Sequence, residues 1–64
     1  MRNPNRLCAF YNELTKIHAE VFPDWRFGQL MTNFMSYLTE KGVDPFFPEE
    51  NEMIKYLKEF ADMH

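Results

Sequence analysis

The sequence lacks most of the devices that small proteins rely on for stability. It has one cysteine in 64 residues, Cys8, so an internal disulfide is excluded and no thiolate cluster can hold zinc. Glycine occurs only twice, at Gly28 and Gly42, and there is no internal repeat, low-complexity tract or domain linker. No apolar run approaches the roughly 18 residues that read as a membrane span. The N-terminal Met-Arg-Asn-Pro-Asn-Arg has no apolar segment of the kind a secretory signal carries. A lone cysteine fits a reducing compartment, so the expected location is the cytoplasm, with no membrane association. Excess positive charge is also missing: seven Lys and Arg face ten Asp and Glu, for a net charge of −3. The imbalance falls late in the chain. Residues 1–42 carry five bases and four acids, whereas residues 43–64 carry two bases and six acids. An acidic C-terminal third repels phosphate and anionic lipid.

What the chain has instead is apolar bulk. Hydrophobic residues make up 45% and aromatics 17%, including seven Phe, three Tyr and one Trp. That content lies far above a disordered composition and predicts one compact domain over residues 1–64. A core in a chain this short seldom leaves more than about 3–5 kcal/mol of net stability. With disulfide and metal set aside, a partner subunit is the remaining support.

The apolar residues recur with helical spacing, which predicts an all-α three-helix bundle. The first helix is expected over about residues 4–22. Asn3 and Pro4 open it, Leu7, Phe10, Tyr11, Leu14, Ile17, His18 and Val21 form its apolar face, and Pro23 ends it. The second is expected over about 25–41, capped by Asp24, with Phe27, Leu30, Met31, Phe34 and Leu38 facing the core. Lys41 and Gly42 supply its end. The third is expected over about 49–62, introduced by Pro48 and the acids Glu49, Glu50 and Glu52, with Met53, Ile54, Leu57, Phe60 and Ala61 inward. In the connector between them, Phe46 and Phe47 are expected to tuck beneath the bundle as a plug.

The segment Pro23-Asp24-Trp25-Arg26-Phe27-Gly28-Gln29-Leu30, followed by Asp44-Pro45-Phe46-Phe47 and an acidic third helix, resembles a group of short bacterial and prophage-borne proteins. The likeness spans about residues 7–60 and departs from the group's pattern at Pro48, where an aliphatic residue is usual. It implies no activity, cofactor or site residue, only a mobile-element origin.

No pair of titratable groups falls at a spacing that would hold an acid beside a base, so no catalytic residue, cofactor or metal site is expected. His18 has no second His, Cys or acid on its face, and reads as a half-buried histidine hydrogen-bonded near a helix end. Cys8 has no base partner at a fixed offset. Glu49, Glu50 and Glu52 lack the central glycine and acid pattern of a calcium loop and read as complements to a helix dipole. His64 is expected to fray.

The most distinctive stretch is Phe27 to Thr39, which carries no charge. Gly28, Thr32 and Ser36 stack at four-residue steps beside Met35 and Thr39, and Cys8, Asn12, Thr15 and Ala19 form a similar flank on the first helix. A solvated helix face normally carries Lys and Glu. Two explanations stand open: close packing of the first two helices inside the chain, or a protein-contact face. The expectation is a non-enzymatic interaction module, an accessory or inhibitory factor of a mobile element. It would contact a protein partner or a second copy through Gly28, Thr32, Met35, Ser36, Thr39 and Tyr37, assisted by Trp25 and Tyr56. The alternative is a small nucleic-acid-binding regulator with a basic patch of Arg2, Arg6 and Arg26.

Overall fold

The structure, a computed structural model, describes residues 3–64. Three helices follow one another: α1 (Asn5–Val21), α2 (Phe27–Glu40) and α3 (Glu50–Asp62), and no strand occurs among the described residues. The architecture is the small all-α bundle expected from the periodicity.

Local chemistry explains the helix ends. The Asn3 side-chain oxygen accepts the Asn5 backbone N–H at 2.9 Å, satisfying one of the donors that a helix start leaves orphaned. Asp24 does not cap α2, contrary to expectation. The chain first makes a tight turn in which Trp25 N–H donates to the Phe22 carbonyl at 3.1 Å. Gln29 then reaches back to accept the Arg26 N–H at 2.7 Å. At the far end of α2, Gly42 adopts φ 81°. This left-handed residue lets Val43 N–H reach the Leu38 carbonyl and Gly42 N–H reach that of Thr39, at 2.9 and 3.0 Å, closing the helix in a Schellman motif. Glu50 and Glu52 sit in the first turn of α3, where the helix dipole favours negative charge.

Seven side chains form the buried core: Ile17 and Phe22 from the α1 side, Leu30, Phe34 and Leu38 from α2, and Leu57 and Phe60 from α3. α3 is the organising element. Its backbone runs close to α1 and approaches α2, whereas the backbones of α1 and α2 come close at few points, and the side chains of all three helices share one core. α1 and α3 run parallel. Arg6 pairs with Glu50 near their starts at 2.8 Å, Glu13 with Lys58 further along at 3.7 Å, and Phe22 with Phe60 at their ends, ring centroids 5.4 Å apart.

The last turn of α2 meets α3 near its far end, where Lys41 lies 3.4 Å from Glu59. The connector must therefore travel back about 14 Å alongside α3 to reach Glu50. It does so in a turn that leaves Phe46 84% and Phe47 73% exposed. The plug expected from their hydrophobicity does not form. The Asp44 side chain accepts the Phe46 N–H at 3.0 Å and the Asp44 carbonyl accepts the Phe47 N–H at 3.3 Å. Pro45 and Pro48 fix the backbone on either side, so the two rings stand edge to face at 5.1 Å, pointing outward.

Candidate functional site

The seam between α1 and α2 is open along part of its length. Phe10, Tyr11 and Leu14 line one wall, Phe27, Met31 and Met35 the other, and Phe34, Met53 and Glu50 close the floor and one end. The resulting cleft holds about 220 Å³. Its mouth is apolar: Tyr11 is 57% and Phe27 66% exposed. Their spacing places both on the apolar faces of their helices, and each of those faces is wider than α3 alone can cover.

On either side of this cleft runs a strip without charge. On α1, Thr15, His18 and Ala19 continue the wall begun by Tyr11 and Leu14. On α2, Thr32, Ser36 and Thr39 border Met31 and Met35 in a shallow groove that ends at Glu40. Gly28, Thr32, Ser36 and Thr39 are all exposed, as are Cys8, Asn12, Thr15 and Ala19. Packing inside the chain does not account for their lack of charge. Gly28 has nothing within 4 Å of the position its Cβ would occupy, so close packing of the first two helices is not what its small size serves. Among the described residues, the charged side chains that line these grooves are Glu40, the Glu50 that is tied to Arg6, and Arg26, which borders Gly28 and Thr32.

Tyr37 does not belong to this face. It turns toward α3, where its ring lies 5.5 Å from that of Phe60 and its hydroxyl donates to Glu59 at 3.3 Å. Lys41 completes that corner, its amino group 5.7 Å from the Tyr37 ring centre. The Glu59 carboxylate, assisted by Tyr37, holds the Lys41 ammonium above its ordinary pKa of 10.5. Trp25 and Tyr56 are likewise half-buried against the core, with Trp25 stacked on Phe22 at 4.3 Å. The exposed aromatics are Tyr11, Phe27, Phe46 and Phe47, and only their position relative to α3 distinguishes them from the buried ones.

The remaining titratable residues are placed as follows. His18 Nε2–H donates to the Trp25 carbonyl at 2.7 Å and ties the end of α1 to the turn before α2. His64 does not fray: its Nδ1–H donates to the Phe60 carbonyl at 3.0 Å, and its ring packs on Phe60, Phe22 and Trp25. Cys8 is exposed. Arg2 lies outside the described residues. Arg6 is engaged by Glu50, and Arg26 follows the far end of the 17-residue α1, about 25 Å away along the helix. The structure does not bring the two arginines into one patch. Among the described residues, no three His, Cys, Asp or Glu side chains converge as metal ligands would, and no helix is long and apolar enough to cross a membrane.

Fold and site together define a small all-α protein with an open, uncharged face across two of its helices. No protein-family model matches the chain, and no curated protein or solved structure shows significant similarity to it.

Proposed function

We propose that this chain is a non-enzymatic protein-interaction module that receives a protein partner on the α1–α2 face. The observation that carries the reading is the apolar cleft between two exposed uncharged strips. Charge depletion around exposed aromatic and methionine side chains is the compositional mark of an interface centre, and Met31 and Met35 can repack to suit the shape of what binds. Tyr11 and Phe27 offer large contact areas at little cost in side-chain entropy. The sequence likeness to prophage-borne proteins favours an accessory or inhibitory factor of a mobile element, acting in the cytoplasm by occupying a partner's surface.

The test is capture from an extract of the native host by the immobilised full chain, comparing three forms. Phe27→Glu places a charge at the cleft mouth, at a helix start where an acid is well tolerated. Lys55→Glu alters an exposed position on α3. The expected outcome is a specific partner retained by the original chain and by Lys55→Glu but lost with Phe27→Glu, all three remaining helical by circular dichroism. Equal recovery by both variants defeats the assignment of the face.

A further inference from the structure

The cleft and the Phe46–Phe47 turn are unsatisfied features of opposite shape on one molecule, and we infer that each is completed by the other across a two-fold pair of chains. This rests on the α1–α2 face being the binding face, and it names the occupant as the Phe46–Phe47 prong of a second copy.

Three observations support the match. The first is size. A dry apolar cavity of about 150 Å³ suffices to hold a benzene ring, and the cleft here offers about 220 Å³ lined by Phe10, Leu14, Met31 and Met53 among others. It has room for one phenyl ring entering and a second lying across the mouth against Tyr11 and Phe27. The second is rigidity. The Asp44 turn holds both rings out of their own chain, between two prolines, so little freedom remains to be lost when they dock. The third is placement. Phe47 is three residues from Glu50, which lines one end of the cleft, so prong and cleft open within about 11 Å of each other. Neighbouring features of this kind are what a two-fold axis needs, because the same operation then puts each prong over the other chain's cleft.

The area suits a weak dimer. A fully buried Phe removes about 150–250 Å² from water; at 84% and 73% exposure the prong carries about 300 Å². Two prongs with matching cleft walls bury about 1,200 Å² in total, the lower edge of specific interfaces. The pair should therefore assemble at high micromolar concentration and dissociate on dilution.

Sedimentation equilibrium on the full chain provides the test, with circular dichroism as the check on folding. Two variants are used: Phe46→Ser with Phe47→Ser, which removes the prong and keeps the cleft, and Phe27→Glu, which spoils the cleft mouth and keeps the prong. The prong residues are exposed and outside every helix, so the first variant retains the fold. Each variant alone should weaken dimerisation roughly tenfold or more, as loss of central aromatic anchors does. Mixed, the two should form a heterodimer, weaker than the original pair but tighter than either variant with itself, because one intact prong still meets one intact cleft. A chain that sediments as a monomer at high micromolar concentration overturns the proposal. So does a prong variant that dimerises as tightly as the original, or a mixture that gains nothing over its components. If self-association fails while host-partner capture is still abolished by Phe27→Glu, the interaction face stands and only its occupant is wrong.

Discussion

Where α2 meets α3, aromatic rings and charges are used up. Phe34, Tyr37 and Phe60 lie within ring-contact distance, His64 closes over Phe60, and Lys41 and Glu59 pair at the edge. On the side of α2 toward α1, Met31, Met35 and Phe27 border an open cleft floored by Met53 of α3, and beyond them Thr32 and Ser36 meet solvent. The two sides belong to one helix of 14 residues: Leu30, Phe34 and Leu38 are buried in the core, while the open side mixes Met and Phe with exposed Gly, Thr and Ser. In a chain this short, burial is limited by the number of elements that can act as cover rather than by the supply of apolar residues. The molecule's radius of gyration, 11.7 Å, exceeds the about 10.7 Å typical of its length, in keeping with its elongated 36 × 26 × 19 Å extents.

The contrast is broken most severely from the covered side. Phe60→Ala removes the ring that touches Phe22, Trp25, Phe34, Tyr37 and His64. Such a truncation costs about 3–5 kcal/mol, comparable with the whole stability of a core this small. Thermal denaturation followed by circular dichroism should show a largely unfolded chain near room temperature. Retention of a cooperative transition close to the original would mean that α3 is not the element holding the bundle together.

The two glycines sharpen the contrast at intermediate scale, with opposite signs. Gly42 closes α2 at φ 81°, where an L side chain costs about 1–2 kcal/mol, so Gly42→Ala should lower the melting temperature by several degrees. Gly28, on the open side, has free space around it. Gly28→Ala should raise stability by up to about 1 kcal/mol through helix propensity and reduced freedom of the unfolded chain. A loss of stability at position 28 would reveal a contact that the monomer does not display.

The smallest expected effect is the most diagnostic of the open side. Thr32→Glu with Ser36→Glu places two charges on the exposed strip of α2. Chemical denaturation should give a stability within about 0.5 kcal/mol of the original, since neither residue is covered. Unfolding of the double variant would restore the internal seam as the explanation for the missing charge.

How much of this could be read beforehand depends on the range over which each feature is determined. The helices were legible because a 3.6-residue apolar period and terminators such as Pro23, Gly42 and Pro48 act within a few residues. The start of α2 was less so, because Asp24 and Gln29 are both competent to cap and only the Phe22–Trp25 turn decides between them. The fate of the aromatic residues was legible only in part: Phe34 and Phe60 are buried as their spacing predicts, whereas Tyr11, Phe27, Phe46 and Phe47 are exposed. Tyr11 is exposed although its spacing puts it on an apolar face, and Phe46 and Phe60 have identical side chains yet opposite burial. Their opposite exposures follow from where α3 lies, a relation spanning up to fifty residues. The uncharged strip was visible as an anomaly, but deciding that it faces outward required the packing of all three helices, which leaves Gly28, Thr32, Ser36 and Thr39 exposed.

The stacking of Trp25 on Phe22, beside Phe60 and His64, gives the molecule a built-in optical reporter. Trp25 is the only tryptophan in the chain, so the whole indole emission arises from the place where the α1–α2 turn meets the end of α3. That emission should shift when this corner separates. It should remain nearly silent when something enters the cleft, which is lined by Tyr11, Phe27 and Met31 and not by Trp25. Fluorescence and tyrosine-sensitive absorbance thus observe two different events in one unlabelled protein, unfolding in the first channel and docking in the second.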